Sequence, residues 1–442
     1  MNPRLVLALA LASAPLAAAA QNLNQVYLDA RNYDAQYAAA KYALQAGQEK
    51  LPQGRALLLP TLSLNASVVQ TYLDSNFDGP TAQPAGRRDY RTDGHTFTLT
   101  QPLYRPQNYA QYNQGELQVK QAESQFGLAN QDLILRVAQA YFDLLAAEDT
   151  LALVRAQKTA ISEQLAQAKR NFEVGTATIT DTHEAQARYD LSQAQEISAM
   201  NDREARRRAL QQLTGKEYET LKPLRADIKL SPPNPNIMQS WVDLAEKQSY
   251  PVLVQEAGTE IAALEARRNR AGHYPTLDAV GTVGQGFQTG SQLATIGSDV
   301  TNATIGLQFN WLLYQGGAVS SREREAAANA ERARQDLENA RRSSAFSTSQ
   351  SYLAVLAGVA QVRALEQALV STQSALDSNR LGYEVGVRIN IDVLNAQQQV
   401  FSTKRDLAVA RYNTITNTLR LKAAAGALRD EDLDEVNRAL EP

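Results

Sequence analysis

The 442-residue chain has no cysteine, three histidines, two tryptophans and nine phenylalanines. The absence of cysteine excludes disulfides, thiolate metal sites and thiol nucleophiles together. His95, His183 and His273 are far apart and lack the spacing of a metal site. The net charge of −3 excludes the basic field that nucleic-acid binding requires. No triad of Ser, His and Asp and no pair of carboxylates stands out. The sequence therefore predicts no enzyme, no metal and no cofactor.

Long apolar runs are also scarce, and the first of them lies at the N-terminus. Arg4 precedes an apolar run from Leu5 to Leu11, and Ala18, Ala19 and Ala20 follow as a small-residue cleavage site. This pattern predicts a signal peptide over 1–20, and a buried N-terminal helix is the alternative. Without cysteine, lipidation of a new N-terminal cysteine is excluded. No later stretch has 18 or more apolar residues, so we expect strands rather than helices in any membrane.

Proline is absent from 107–222 and from 315–441. Such stretches favour long uninterrupted helices. The sequence predicts them at about 107–172, 182–214, 317–383 and 392–425. A helix of about 65 residues would be about 100 Å long. Helices of this length are typical of coiled coils or of the walls of larger assemblies.

The chain is internally duplicated. Residues 172–186 read FEVGTATITDTHEAQ and 383–397 read YEVGVRINIDVLNAQ, so Gly175 aligns with Gly386 at an offset of 211 residues. The same offset aligns Tyr141 with Tyr352. A period this long indicates duplication of a whole structural unit. We predict a first repeat at 21–222, a proline-rich linker at 223–235, a second repeat at 236–426 and a charged C-terminal segment at 427–442.

Each repeat also contains two segments that alternate apolar and polar residues. These predict strands at about 61–73, 94–104, 276–289 and 302–313, each with one apolar face. Polar loops at 74–95 and 290–302 read as hairpin tips in water. A soluble sandwich is the alternative interpretation. However, four strands cannot close a membrane barrel, which needs at least about eight, so more than one chain must contribute.

The order of elements and several strings resemble the TolC family of outer-membrane efflux and secretion channels. The strings are YEVGVRINIDVL at 383–394, FEVG with ITD within 172–181, ARYN at 410–413 and the ending from 426 to 440. The resemblance covers essentially the whole mature chain. It implies a mainly α-helical, duplicated fold with a small β part. Three identical chains would form a 12-stranded outer-membrane barrel, continued by a 12-helix barrel through the periplasm. The implied partners are outer-membrane lipid, a periplasmic adaptor and an inner-membrane pump.

The resemblance also implies a gate at the periplasmic tip. The family's gate positions match Thr180, Asp181, Tyr383 and Arg388. A guanidinium fork and a phenol suit hydrogen bonding to a carboxylate. Solvated helix-end residues are the alternative.

The family's pore constriction matches Asp392 and Asn395, where the second residue replaces an aspartate. One ring of carboxylates would remain, and we expect a weakened cation preference. Asp392 could instead serve as the N-cap of a helix beginning at Val393. The surfaces near Gly175 and Gly386 are the expected docking sites for the adaptor.

A different class of protein remains possible from the residues alone. A periplasmic or surface coiled-coil structural or adaptor protein would explain the rods. A protein of that class would not explain the four amphipathic strands.

Overall fold

A computed structural model describes residues 20–76, 78–79, 85–225, 227–291 and 296–441. The predicted signal peptide and parts of both predicted hairpin tips lie outside the described residues. The helices are α1 (Leu23–Tyr33), α2 (Ala35–Gln48), α3 (Lys50–Ala56), α4 (Pro106–Glu173), α5 (Ile179–Thr214), α6 (Met238–Gln248), α7 (Tyr250–Arg270), α8 (Ala318–Glu384), α9 (Asn390–Ala424) and α10 (Glu431–Arg438). The strands are β1 (Thr61–Ser75), β2 (Gly86–Tyr104), β3 (Thr276–Gln288) and β4 (Ser298–Asn310).

The described elements confirm a mainly helical fold with one small sheet. Two or three short helices, a β-hairpin and a pair of long helices follow one another twice along the chain. The long helices have 68, 36, 67 and 35 residues. The chain divides into two compact units. The first contains residues 1–42, 125–253 and 340–442, and the second contains 43–124 and 254–339.

The second unit holds the antiparallel sheet, in the order β1-β2-β3-β4. Between Leu62 and Asn65, residues in register across the four strands form apolar and polar rows in turn. One apolar row is Leu62, Leu99, Gly281 and Ile305, and the adjacent polar row is Ser63, Thr98, Thr282 and Thr304. The apolar side chains are uncovered in the single chain, with Ile305 92% and Leu62 70% exposed. The sheet therefore has an apolar face without a partner.

Two strands differ from their predicted bounds. β2 begins at Gly86 rather than about 94, and β4 covers Ser298–Asn310 rather than 302–313. Arg87, Arg88 and Asp89 of β2 are all charged, so no alternation of apolar and polar residues marks a strand there. The backbone ladder nonetheless continues, because Leu73 pairs with Arg88 and Ser75 with Gly86.

The first unit has a core between α1, α4, α5, α9 and the C-terminal segment. Tyr141 and Phe142 are its largest buried side chains, and Phe142 stacks on Tyr412 at 5.6 Å between ring centroids. The hydroxyl of Tyr412 donates to the carboxylate of Asp149 at 2.7 Å. Burial raises the pKa of Asp149. This polar contact ties α9 to α4 inside an otherwise apolar core.

The joints between the short helices differ between the repeats. Asp34, between α1 and α2, accepts hydrogen bonds from both terminal nitrogens of Arg136 at 2.9 and 3.1 Å. The Arg136 guanidinium holds the pKa of the Asp34 carboxyl below its usual value. Ser249, between α6 and α7, instead contacts the hydroxyl of Ser344 at 3.1 Å. The same position in the fold thus carries an ion pair in one repeat and a neutral pair in the other.

By length and composition, one described helix is apolar enough to cross a membrane, which the sequence analysis did not expect. It is α8, whose best 18-residue window has a mean hydropathy of 1.4 and is only 17% buried. Small apolar residues interspersed with polar ones raise the window average without forming a continuous apolar run. Such a window is weak evidence for a membrane span, and it marks α8 as a helix with much uncovered apolar surface.

Candidate functional site

The two predicted tips are turns of the same construction, one between α4 and α5 and the other between α8 and α9. Gly175 and Gly386 have φ values of +78° and +79°. The next residue of each turn donates its N–H to a carbonyl five positions earlier, Thr176 to Asn171 and Val387 to Gly382, both at 2.8 Å. This hydrogen bond and a left-handed glycine form the common Schellman ending of a helix. The repeated glycines therefore meet a backbone requirement.

In the first tip, the helix is capped by side chains. Thr178 is the N-cap of α5, and its hydroxyl accepts from the N–H of Asp181 at 3.3 Å. The Asp181 carboxylate accepts in return from the N–H of Thr178 at 3.0 Å and from its hydroxyl at 2.8 Å. This reciprocal pair is a capping box. Thr180 lies beside it with an exposed side chain. Within one chain, Asp181 therefore serves the start of its own helix.

In the second tip, the cap is missing. α9 begins at Asn390, and its N-cap is Ile389, whose side chain makes no cap hydrogen bond. The interpretation of Asp392 as the N-cap of a helix beginning at Val393 is therefore wrong. The helix begins earlier because the turn after Gly386 repeats the first turn residue by residue. Asp392 lies in the first helical turn, where a carboxylate is stabilised by the helix dipole.

The Asp392 carboxylate faces an arginine rather than a cap. An oxygen of Asp392 lies 3.7 Å from a terminal nitrogen of Arg388. The side chains are 35% and 59% exposed, respectively. A long, exposed ion pair of this kind contributes little to stability. Arg388 is therefore free to form a better contact with another acceptor.

Tyr383 is half-buried beside the apolar cluster of Leu376, Val393 and Val400. Its hydroxyl oxygen accepts a hydrogen bond from the side-chain amide of Asn171 at 3.2 Å. The phenol can still donate its own proton, because a hydroxyl both donates and accepts. This contact joins the ends of α4 and α8, and sequence reasoning missed Asn171.

Asn395 is exposed on α9 and accepts a hydrogen bond from Arg188 of α5 at 2.8 Å. The other terminal nitrogen of Arg188 donates to Gln398 at 2.7 Å. Sequence reasoning also missed Arg188, since it is about 200 positions away and belongs to no motif. An additional buried polar group, Asn390, accepts from Gln164 at 2.8 Å.

The predicted site residues therefore fall into separate sets within one chain. Asp181 bonds to Thr178, Arg388 to Asp392, Tyr383 to Asn171 and Asn395 to Arg188. These contacts hold the tip residues at the ends of four long helices. The arrangement is a set of separate hydrogen bonds and one ion pair, and it does not gather these residues into a catalytic centre.

The chain is similar to known proteins over most of its length. A model of the family described as "Outer membrane efflux protein" matches residues 26–216 and again 241–427, which confirms the duplication. The outer membrane protein TolC of Vibrio cholerae is 32% identical over 422 residues, covering 95% of this chain and 94% of that protein. The proteases secretion protein PrtF of Dickeya chrysanthemi is 31% identical, covering 90% of this chain and 87% of that protein.

A solved structure shows the same fold. The outer membrane protein VceC of Vibrio cholerae superimposes with a TM-score of 0.76 at 20% identity, covering 92% of this chain and 96% of that one. A coiled-coil structural or adaptor protein, the alternative from sequence, is not supported by these matches. The chain belongs to the outer membrane efflux protein family, and is an outer-membrane channel that extends into the periplasm.

Proposed function

We propose that three copies of this chain form one conduit, with a 12-stranded barrel in the outer membrane. The observation that supports this most directly is the open sheet. β1 and β4 each have one strand neighbour in the described chain, so each leaves one backbone edge unpaired. Open edges are not tolerated in lipid. Because the strands alternate in direction, β4 of one copy would lie antiparallel to β1 of the next.

The exposed side chains suit such a barrel. The apolar rows would face lipid, and the polar rows would face the lumen. Trp311, Tyr314 and Tyr104 lie near the ends of β4 and β2 and are 53%, 83% and 47% exposed. Aromatic residues at strand ends are typical of membrane interfaces. The rows from Thr61 to Ser67 contain no Asp, Glu, Lys or Arg in any of the four strands. The first charged side chains on the face assigned to lipid are Asp93 and Asp299, in the row of Val68.

The long helices would form the wall of a periplasmic tunnel, four from each copy. α8 exposes large apolar side chains along its length, including Phe346 at 71%, Val370 at 61% and Leu381 at 61%. Uncovered apolar surface of this extent marks a protein interface. A neighbouring copy would cover it.

The periplasmic end would be closed by contacts between copies. Thr180, Asp181, Tyr383 and Arg388 form the gate in this proposal. The unused phenolic proton of Tyr383 and the weakly held guanidinium of Arg388 support it. Hydrogen bonds of this kind contribute about 0.5–1.5 kcal/mol each, or more when charged. Asp392 and Asn395 would lie at the constriction.

An adaptor protein would bind near the tips, at the surfaces around Gly175 and Gly386. Apart from the adjacent residues in the chain, no described heavy atom lies within 4 Å of a Cβ built at either glycine, so both turns are open to a partner. The adaptor would join the conduit to an inner-membrane pump. The relatives support two cargo classes, small molecules in efflux and proteins in type I secretion.

The trimer is tested with engineered cysteines, which the native chain lacks. Ser63→Cys in β1 is combined with one cysteine at a time between 301 and 309 in β4. Oxidised outer-membrane fractions of one or more double variants should show a trimer on denaturing gels. The single-cysteine variants are the controls. Monomers throughout, together with no heat-modifiable trimer of the native chain, would contradict the proposal.

Conduction and cargo need separate measurements. Purified native protein in planar bilayers should conduct ions. Deletion of the gene, followed by drug-susceptibility tests and analysis of secreted proteins, distinguishes the two cargo classes. Sensitised cells with unchanged secretion indicate efflux, and the reverse indicates secretion.

A further inference from the structure

Arg188 brings a positive charge to the proposed constriction. Its guanidinium extends from α5 to α9 and donates to two neutral amide oxygens, of Asn395 at 2.8 Å and Gln398 at 2.7 Å. Both residues lie on α9 within two turns of Asp392. Because a guanidinium remains charged at any physiological pH, its charge lies beside the constriction position at all times.

This charge is not neutralised by an ion pair in the chain. Among the described residues, no carboxylate oxygen forms an ion pair with Arg188 within 4.0 Å. Of the acidic groups of α5 near Arg188, Asp181 bonds to Thr178 and Asp190 to Gln186. Glu184, one turn before Arg188, forms no ion pair within 4.0 Å in the described part of the chain. Asp392 itself is partly offset by Arg388 at 3.7 Å. Asp392 and Asn395, counted together with Arg388 and Arg188, carry one negative and two positive charges.

We infer that Arg188 makes the narrow end of the channel a site for multivalent oxyanions. Three copies of Arg188 would surround the pore axis, and planar guanidinium forks match the oxygens of phosphate-like groups. The inference rests on the proposed trimer and constriction. It replaces the weakened cation preference expected from the sequence with a preference for anions.

Selectivity in planar bilayers tests the inference. The native channel should be more permeable to chloride than to potassium at about 0.1 M salt, where screening acts over about 10 Å. Arg188→Gln should lower the ratio of chloride to potassium permeability by about three- to tenfold, as expected for three unit charges near an aqueous pore. Asn395→Asp should lower it in the same direction, because it gives Arg188 a carboxylate partner without removing it.

Arg208→Gln is the matched control. Arg208 lies on the same helix about 30 Å away and pairs with Glu204, so its loss should leave the ratio unchanged. Inorganic tripolyphosphate on the periplasmic side should block the native channel and have little effect on Arg188→Gln.

The outcomes separate this inference from the function it rests on. A protein that forms no trimer and no pore overturns the proposed function. A conducting trimer that prefers potassium, or whose selectivity and block by tripolyphosphate are unchanged in Arg188→Gln, overturns the role of Arg188 alone.

Discussion

The two repeats have kept the same backbone while their polar contacts have diverged. Both tips turn at a left-handed glycine, but the first helix is closed by a capping box and the second begins at Ile389 without one. At the helix joints, Asp34 pairs with Arg136 in the first repeat and Ser249 contacts Ser344 in the second, although the offset of 211 residues aligns Arg136 with Ser347. The first repeat therefore uses its charges for its own stability. The second leaves Arg388 and Asp392 available for contacts outside the chain.

The largest difference should appear at the joints. Asp34→Ala leaves Arg136 with Asp132 alone, removes the acceptor of the Tyr37 N–H, and should cost about 1.5–3 kcal/mol in the free energy of unfolding. Ser249→Ala removes one neutral hydrogen bond and should cost about 1 kcal/mol. Chemical denaturation followed by tryptophan fluorescence measures both. Equal costs would show that the charged joint contributes no more than the neutral one.

The same joint should make the first repeat acid-sensitive. The Asp34 carboxyl has a lowered pKa in the folded chain, and its unfolded value is about 3.9. Its contribution is therefore complete above the unfolded pKa and is lost as pH falls through the folded pKa. Asp34→Asn should flatten the loss of stability below about pH 4. Denaturation series at several pH values measure the slope, and an unchanged slope relative to the native chain would contradict the assignment.

The charges of the second tip should control the gate. Arg388→Ser removes three charge-assisted contacts from a trimer, each contributing about 1.5–3 kcal/mol, and should raise single-channel conductance severalfold. Tyr383→Phe removes one neutral donor per copy and should have a smaller effect. Arg380→Ser, which changes an exposed arginine of α8 eight residues before Arg388, is the control. Unchanged conductance in both gate variants would exclude these residues from the gate.

The two aspartates should differ as caps. Asp181→Ala breaks the capping box and should destabilise the start of α5 by about 1 kcal/mol. Asp392→Ala removes only a favourable dipole contact and a weak ion pair, at about 0.5 kcal/mol. Hydrogen exchange of the first turns of α5 and α9 reports each effect. Comparable losses of protection would mean that both residues cap their helices.

Supplying the missing N-cap of α9 should have the smallest effect of these substitutions. Ile389→Thr supplies the missing N-cap and should stabilise the start of α9 by about 0.5 kcal/mol. It would also draw Asp392 away from Arg388, as Thr178 holds Asp181. Slower hydrogen exchange at the start of α9 is the expected result, with Thr178→Ile as the opposite control. No change in either variant would show that the turns are insensitive to their caps.

Much of the fold could be predicted from periodicity and repetition. The offset of 211 residues located both tip glycines, and alternation located the greater part of β1, β3 and β4. The N-terminal part of β2 was not predicted, because Arg87 and Asp89 provide no apolar alternation and only the backbone ladder defines the strand there. The N-cap interpretation of Asp392 was wrong because the start of α9 depends on where the preceding turn ends. The contacts of Arg188 with α9 were not predicted, because contacts between helices distant in sequence leave no local sequence pattern.

The first hairpin is longer than the second, with strands of 15 and 19 residues against 13 and 13. Its last rungs, from Thr71 with Tyr90 to Ser75 with Gly86, lie beyond the final pairing of β2 with β3. In this part of the first hairpin, which we call the ribbon, β2 pairs with β1 but not with β3. On an intact bacterium, this ribbon would be the part of the chain that antibodies and external proteases meet first.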